Sequence, residues 1–296
     1  MRDGSGDVLS GWFERPDLLD GPVDDAPLIV LIHGLSGCEE STYLVSSAAF
    51  WLERGHDVLR LNLRGAGPSR SECRQQYHAG RTDDLRDVLR GLPAGLLDAG
   101  LFLIGYSLGG NMLLKFLAEH GAEFPVVGAA SVSAPIDLSV ASHHFLVPRN
   151  RVYHKRLLSS MRNEALAEGS HVTDEEAGIV RKAESIWEFD EKLVAPRNGF
   201  RDAEHYYAEN HALRFMPEIR VPTLIVHALD DPWIPGRLYT EFDWHSNDWL
   251  VPLLPRGGGH VGFHGRDHRT PWHDRSIEAF LASLAGGCRS ATLAAS

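Results

Sequence analysis

One serine lies in a glycine-flanked pattern that could carry out nucleophilic chemistry. Residues 105–109 have the pattern G-x-S-x-G, with Ser107 at the centre. An apolar run typical of a buried strand precedes it, and a helical pattern begins at Leu108. A sharp turn from strand to helix pushes a serine hydroxyl out of the sheet and leaves no space for β-carbons on either side, which explains the glycines. We therefore predict that Ser107 is a nucleophile; the alternative is an ordinary strand-to-helix turn.

A serine hydroxyl is a poor nucleophile near neutral pH, so a base must accept its proton. Among the 16 histidines His260 is preferred, because three glycines precede it and leave the backbone free to turn its imidazole toward Ser107. The acid that orients this imidazole is expected just after the strand pattern at residues 223–227, at the catalytic edge of a sheet. Both Asp230 and Asp231 lie there, although an aspartate in a turn often binds backbone amides instead.

A glycine-rich loop, HGLSG at residues 33–37, follows the first strong strand pattern. The tetrahedral intermediate of acyl transfer carries a negative oxygen, which two backbone N–H groups can stabilise. We predict that the two donors are the backbone N–H of Leu108, directly after the nucleophile, and that of Leu35 in this loop. His33 is interpreted as a buried structural histidine, because the loop has to supply backbone donors and not an imidazole.

A metal site is the competing interpretation of the histidines near the end of the chain. His260, His264 and His268 are four residues apart, and His273 follows. On a helix this spacing would align the ligands on one face. The intervening glycines and proline argue against a helix, so we expect no metal ion and no cofactor.

The elements that would position these residues alternate between strand and helix. Strand patterns lie at residues 28–32, 57–63, 101–104, 125–133, 223–227 and 249–254, and helix patterns lie at residues 41–54, 82–92, 108–120 and 275–284. Thr82 is the expected N-cap of the second helix. Alternation of this kind predicts an α/β fold with a mostly parallel, doubly wound sheet and helices on both faces.

One long segment interrupts the alternation. Residues 135–218 carry many charges and aromatic side chains but no clear strand pattern. We interpret them as a helical cap inserted between core strands, because so many large apolar groups argue against a disordered insertion. The cap would cover the edge of the sheet at which sites in α/β folds lie. We therefore predict a single domain over residues 1–296, with a disordered tail at residues 286–296.

Composition limits the classes of function. The chain has 40 acidic and 29 basic residues and a formal net charge of −11, which disfavours nucleic acid and anionic lipid headgroups as partners. No run of about 18 apolar residues indicates a membrane-spanning helix, and the polar, acidic start lacks an apolar signal region. Three widely spaced cysteines predict no disulfide framework and fit a reducing compartment. We expect a cytoplasmic protein without integral membrane association, and the oligomeric state stays open.

Seven segments, taken together and in order, resemble the AB-hydrolase superfamily and, within it, AB hydrolase family 4, the YheT-like hydrolases. They are HGLSG at His33, NLRGAG at Asn62, YHAGRTDDL at Tyr77, GYSLGGN at Gly105, EFDEKLVAPRNGF at Glu188, LDDPWIP at Leu229 and GGGHVGF at Gly257. The resemblance covers most of the chain and implies the α/β-hydrolase fold with a triad of Ser107, Asp231 and His260. Asp231 is preferred to Asp230 because it precedes Pro235 by four residues, the usual placing of the acid in this superfamily.

The resemblance also implies an activity. Members of the family are described as carboxylic-ester hydrolases, so we expect a serine esterase that acts on a small-molecule ester or lipid through an acyl-enzyme. Apolar short- to medium-chain acyl esters are the expected substrates. An alcohol O-acyltransferase using the same triad is the alternative. A catalytically inactive binding protein on this fold is a third possibility, against which the intact serine, aspartate and histidine argue.

Overall fold

The computed structural model describes residues 1–17, 26–265 and 270–286. Within these residues, seven strands form one sheet. They are β1 (Gly11–Glu14), β2 (Leu28–Ile32), β3 (Val58–Leu61), β4 (Leu101–Tyr106), β5 (Val126–Val132), β6 (Thr223–Val226) and β7 (Leu250–Leu253). Their order across the sheet is β1-β3-β2-β4-β5-β6-β7. β1 is antiparallel to β3, and every other neighbouring pair is parallel. The prediction of an α/β fold with a mostly parallel sheet is confirmed.

Helices connect the strands and cover the sheet. They are α1 (Thr42–Leu52), α2 (Thr82–Gly91), α3 (Leu108–His120), α4 (Leu138–His144), α5 (Arg151–Ala165), α6 (Asp174–Lys182), α7 (Ile186–Phe189), α8 (Ala195–Arg197), α9 (Ala203–Asn210), α10 (Arg237–Thr240) and α11 (Trp272–Ala285). Short 3₁₀ turns lie at Gly67–Arg70, Ala94–Leu96, Gly121–Glu123, Pro148–Asn150, Ala212–Arg214, Met216–Glu218 and Trp244–Ser246. In the described part of the chain, no helix is both long and apolar enough to cross a bilayer.

The central strands are buried on both faces, as their uninterrupted apolar runs predict. Alternate residues of β2 point into different cores: Val30 and Ile32 pack with the helices α2 and α3, whereas Ile29 and Leu31 pack with α1 and α11. The sheet is therefore wound with helices on both sides, and its strands are held rigidly. The loops at the carboxyl ends of these strands are anchored on this sheet. Side chains on such loops can be held at the fixed distances that a site requires.

Residues 135–218, the segment predicted to be a helical cap, lie between β5 and β6 and are called the cap below. In this described segment the backbone forms helices α4 to α9 and no strand. A π-helix at Asp190–Val194 joins α7 directly to α8. Two apolar clusters form the interior of the cap, one around Phe145, Leu158 and Phe189 and one around Tyr206 and Tyr207. The second cluster also contains Ala79 and Leu108 from outside the cap, so the cap packs on the sheet and its loops as well as on its own apolar groups. Residues 287–296, where most of the tail was expected, lie outside the described residues.

The expectation that Thr82 caps the second helix is wrong. Arg81 occupies the N-cap position of α2, and Thr82 is the first helical residue. The Thr82 hydroxyl donates a hydrogen bond to Glu119 Oε2 on α3 at 2.6 Å. A tertiary partner on the neighbouring helix therefore replaces the local cap.

Candidate active site

The turn between β4 and α3 holds Ser107 in a backbone conformation that few residues adopt. The φ angle of Ser107 is +51°, and the helix begins at the next residue. A β-carbon at Gly109 would lie 2.4 Å from the carbonyl oxygen of His33, and one at Gly105 would lie 2.5 Å from that of Gly109. A larger residue at either position would require a shift of the backbone, so both glycines are needed for this turn.

The side chains of Ser107, His260 and Asp231 form a continuous chain of hydrogen bonds. Ser107 Oγ lies 2.9 Å from His260 Nε2, and His260 Nδ1 lies 2.8 Å from Asp231 Oδ2. The three residues meet because β4, β6 and β7 are parallel and their carboxyl ends reach the same edge of the sheet. A proton on Nδ1 that is donated to the carboxylate leaves Nε2 free to accept the hydroxyl proton.

Asp231 is held by backbone donors as well as by the histidine. Its Oδ1 accepts hydrogen bonds from the N–H groups of Trp233 and Ile234, at 2.8 and 3.1 Å. Burial alone would raise the pKa of this carboxyl, but the charge and hydrogen bond of His260 outweigh burial and the pKa is lowered. Asp231 is therefore an ionised acceptor that faces the imidazole.

The loop that carries His260 is fixed from several sides. Asp230 Oδ1 accepts the N–H of the residue before the histidine at 2.9 Å, and Ser133 Oγ accepts the N–H of Val261 at 3.1 Å. The indole of Trp233 stacks on the imidazole, with ring centres 4.3 Å apart. The two neighbouring aspartates thus have different partners: Asp231 contacts the imidazole, and Asp230 contacts the loop backbone.

Two tyrosine hydroxyls fix the glycine-rich loop opposite the serine. The N–H of Gly34 donates to Tyr43 Oη at 2.9 Å, and the N–H of Ser36 donates to Tyr77 Oη at 2.7 Å. The N–H of Leu35, which lies between them, makes no hydrogen bond to any of the described residues. Ser36 has a φ of +56°, so the loop is held in a strained conformation that leaves one amide donor unpaired.

This loop packs directly on the turn that carries Ser107. A β-carbon at Gly34 would lie 2.9 Å from Ser107 Cβ and 3.1 Å from the carbonyl oxygen of Tyr106. On the other side, the N–H of Leu108 is at the first position of α3 and has no acceptor within the helix. The predicted donors Leu35 and Leu108 thus belong to the two turns that meet at Ser107.

The side chain of His33 is a structural part of this loop. It is fully buried; its Nε2 accepts the N–H of Leu63 at 3.0 Å, and its Nδ1 lies 2.7 Å from the carbonyl oxygen of Gly34. Burial lowers the pKa of His33 to about 4, so the ring is neutral and donates from Nδ1. It fixes the carbonyl of Gly34 and takes no part in the chain of hydrogen bonds at Ser107.

Two histidines of the metal alternative, His260 and His273, lie in separate environments. His260 contacts Ser107 and Asp231, whereas His273 is buried with its ring centre 5.7 Å from that of Tyr106. Burial lowers the pKa of His273 to about 3. His268 lies outside the described residues. No group of three metal-ligating side chains is present in the portion of the chain that the structure describes.

Comparison with known proteins identifies the family. A family model described as the alpha/beta hydrolase fold matches residues 27–173. YheT of Escherichia coli (strain K12), which carries an esterase name, is 32% identical over 281 residues, corresponding to 92% of this chain and 80% of YheT. The chain belongs to the YheT-like family of α/β hydrolases. The resemblance inferred from the seven sequence segments is thereby confirmed.

More distant relatives of this α/β hydrolase are also named for ester chemistry. The monoacylglycerol lipase of Saccharomyces cerevisiae is 28% identical over 270 residues; the match covers 87% of this chain and 60% of the lipase. Among solved structures, Est1E of Butyrivibrio proteoclasticus with bound ferulic acid aligns with a TM-score of 0.57 and 15% identity, over 94% of this chain and 96% of Est1E. That structural likeness shows the fold alone. With its family established, this α/β hydrolase is a carboxylic ester hydrolase.

Ser107 lines a cavity of about 340 Å³ between the sheet edge and the cap. Much of its wall is apolar and comes from the cap, including Phe145, Leu157, Met161, Ile186 and Phe189. Two carboxyl groups, of the half-buried Glu164 and the buried Asp190, interrupt this wall. Burial raises the pKa of Glu164 and of Asp190 to about 7 each. The Tyr207 hydroxyl donates to Asp190 Oδ2 at 2.7 Å, which partly offsets the effect of burial on this carboxyl. Both carboxyls are therefore partly protonated near neutral pH.

The residue that sequence reasoning missed is Tyr77. Its hydroxyl accepts the N–H of Ser36 and donates to Glu164 Oε2 at 3.0 Å. Glu164 belongs to α5, so this tyrosine connects the cap to the loop that carries Leu35. The YHAG segment was a family signal at this position, but it gives no indication of partners at positions 36 and 164.

Proposed function

We propose that this α/β hydrolase cleaves apolar, short- to medium-chain acyl esters through an acyl-enzyme. Ser107 is the nucleophile, His260 the general base and Asp231 the acid that orients it. One observation carries the proposal: an uninterrupted hydrogen-bonded chain from the carboxylate to the hydroxyl, with distances of 2.8 and 2.9 Å, on the wall of an apolar cavity.

In the acylation step, Ser107 Oγ attacks the ester carbonyl while His260 Nε2 takes the hydroxyl proton. The resulting oxyanion accepts hydrogen bonds from the backbone N–H groups of Leu35 and Leu108. When the intermediate collapses, the C–O bond to the alcohol breaks and the alcohol leaves with the proton held by the imidazole. The ionised Asp231 stabilises the imidazolium that exists between these two proton transfers.

In the deacylation step, water takes the place of the alcohol. His260 Nε2 removes a proton from the water, and the hydroxide attacks the acyl carbon held on Ser107. The same two N–H groups receive the second oxyanion. Collapse breaks the bond to Ser107 Oγ, which recovers its proton from the imidazole, and the carboxylic acid is released.

The cavity supports an apolar substrate of modest size. Its volume of about 340 Å³ lies at the lower end of the range of about 300–1,000 Å³ for small-molecule sites. Phe145, Leu157 and Met161 give the acyl chain apolar contacts. The partial protonation of Glu164 and Asp190 near neutral pH reduces the cost of placing a hydrocarbon chain beside them, compared with two fully ionised carboxylates.

A series of p-nitrophenyl esters of increasing acyl length, run on the wild type and on Ser107→Ala, tests the proposal. We expect kcat/KM to rise and then fall with chain length, and Ser107→Ala to lower kcat by at least about 10⁴-fold with its fold retained. Retained turnover in a folded Ser107→Ala protein would refute the assignment of the nucleophile.

The two neighbouring aspartates offer a matched test of the acid. Asp231→Asn keeps the shape but removes the charge that faces His260, so we expect kcat to fall by about 10³–10⁴-fold. Asp230→Asn changes only the support of the loop, and we expect a loss of about tenfold or less. An equal loss in both variants would contradict the role given to Asp231. Product analysis with added ethanol separates hydrolysis from acyl transfer, because ethyl ester formed faster than free acid would favour a transferase.

A further inference from the structure

Four large apolar side chains are exposed within eight residues on the outer surface of the cap. Leu146 and Val147 follow α4, and Val152 and Tyr153 lie in the first turn of α5; Leu146 is 52% exposed and Val152 is 77% exposed. Single exposed apolar side chains are common on proteins, but a contiguous group of them marks an interaction surface. Residues 146–156 are called the outer patch below.

The charge of this region is the reverse of the charge of the whole chain. Residues 138–163 contain no aspartate or glutamate, although the chain carries a formal net charge of −11. Four exposed cations lie in the outer patch, namely Arg149, Arg151, Lys155 and Arg156. None of them forms an ion pair with a carboxylate of the described residues. The outer patch therefore presents unpaired positive charge around exposed apolar groups.

The outer patch and the cavity lie on opposite sides of the same helix. Leu157, Met161 and Glu164 of α5 line the cavity, whereas Val152 and Lys155 face solvent. A helix is about 10 Å across with its side chains, so a surface bound to the outer patch would lie about that distance from the cavity wall.

An aromatic contact brings the outer patch close to the proposed triad. The ring of Tyr153 is 6.1 Å from that of Trp233, which itself stacks on the imidazole of His260. The patch thus borders the site at which an ester would react.

We propose that the outer patch docks on an anionic phospholipid surface. Apolar side chains would insert among the headgroups while the surrounding cations bind phosphate groups. The negative charge elsewhere on the molecule opposes this only weakly at contact, because electrostatic interactions are screened over about 8 Å at physiological ionic strength. Docking would bring lipid esters to the cavity, so the purpose of docking rests on the proposed function. The measurement of vesicle binding does not depend on that function.

Co-sedimentation with vesicles tests the docking directly. The probes are vesicles of phosphatidylcholine mixed with phosphatidylglycerol and vesicles of phosphatidylcholine alone, each at low and at high salt. We expect binding to the mixed vesicles that weakens with salt, and much weaker binding to phosphatidylcholine alone. Ser107→Ala should bind as the wild type does, which separates docking from catalysis. Turnover of soluble esters without any vesicle binding would overturn the docking proposal and leave the proposed function intact.

Two variants remove the two components of the outer patch. The first replaces Arg149, Arg151, Lys155 and Arg156 by glutamine, and each lost cation should weaken binding about fivefold. The second combines Leu146→Ser and Val152→Ser. Its matched control combines Val8→Ser and Trp12→Ser, which are 54% and 56% exposed on another part of the surface.

Both patch variants should lose vesicle binding and keep the wild-type kcat on a soluble short-chain ester, while the control variant keeps both. Wild-type vesicle binding in the two patch variants would overturn the proposal. Sedimentation velocity tests whether a second copy of the chain occupies this surface instead. A wild-type dimer that the patch variants dissociate would assign the patch to self-association and would equally overturn the proposal.

Discussion

Removal of one hydroxyl, by Tyr77→Phe, should slow turnover without changing the triad. The Tyr77 hydroxyl holds the N–H of Ser36 at 2.7 Å, next to the predicted oxyanion donor Leu35, and it donates to Glu164 at 3.0 Å. The ring remains in the variant, so the packing around it is kept. The loop loses the contact that holds Ser36 at a φ of +56°, and the position of the Leu35 N–H becomes less well defined.

The size of the effect follows from the bonds that are lost. A polar group left without its partner costs up to about 1–3 kcal/mol when it is buried, and Tyr77→Phe leaves two partly buried groups without this partner, the amide of Ser36 and the carboxyl of Glu164. Complete loss of one oxyanion donor lowers kcat by about 10²–10³-fold, which is the upper limit. Because the donor is displaced and not removed, we expect the activation free energy to rise by about 1–1.5 kcal/mol. That corresponds to a decrease of roughly tenfold in kcat. KM should change by about twofold or less, because the cavity contacts that bind the ground state and the transition state equally are preserved.

Tyr206→Phe is the matched control for this prediction. The Tyr206 hydroxyl also accepts a buried backbone N–H, that of Ala79 at 2.9 Å, but it does not contact the loop at residues 33–37. Steady-state kinetics on a soluble p-nitrophenyl ester and chemical unfolding should be measured for both variants. We expect both variants to lose free energy of unfolding, with the larger loss in Tyr77→Phe because it removes two hydrogen bonds, and we expect a loss of kcat in Tyr77→Phe only. An equal decrease in kcat for both, or an unchanged kcat in Tyr77→Phe, would refute the positioning role.

Two further predictions concern stability. Burial raises the pKa of Asp190 from 3.8 to about 7, so the stabilisation from its bound proton is complete below about pH 4 and is lost as pH rises through 7. Asp190→Asn, which cannot ionise, should match the wild type at about pH 4 and exceed it by roughly 4 kcal/mol at about pH 8 in urea unfolding; a constant difference would contradict this. Gly109→Ala should destabilise by about 2 kcal/mol or more, because its β-carbon would lie 2.4 Å from the carbonyl oxygen of His33. Gly178→Ala in α6, where no atom lies within 4 Å, should instead stabilise by about 0.5–1 kcal/mol.

The central fold could be predicted from the sequence because its signals are local. An uninterrupted apolar run such as residues 28–32 indicates a strand buried on both faces, and the structure has β2 at Leu28–Ile32. The helix pattern that begins at Leu108 likewise corresponds to α3. The error at Thr82 has the opposite cause: its hydroxyl binds Glu119, and no local pattern reveals a partner 37 residues away.

The candidate site likewise has one part that local sequence patterns predict and another part that they do not. Ser107, Asp231 and His260 could be proposed from turns that carry their own glycine and aspartate patterns. The roles of Tyr77 and Glu164 could not, because their contact joins residues 87 positions apart and depends on how α5 packs over the loop. The segment at 135–218 could be described only as helical, since the arrangement of short helices is decided by tertiary packing and not by periodicity.

The position of the cap between two paired strands separates, along the sequence, much of the cavity wall from the three residues of the proposed triad. β5 and β6 are paired neighbours in the sheet, and the cap is inserted between them in the sequence. Changes within this one stretch of the gene can alter the apolar wall of the cavity, while Ser107, Asp231 and His260 lie outside it. The residues that would contact the acyl chain can therefore change in sequence without a change in the residues of the proposed triad.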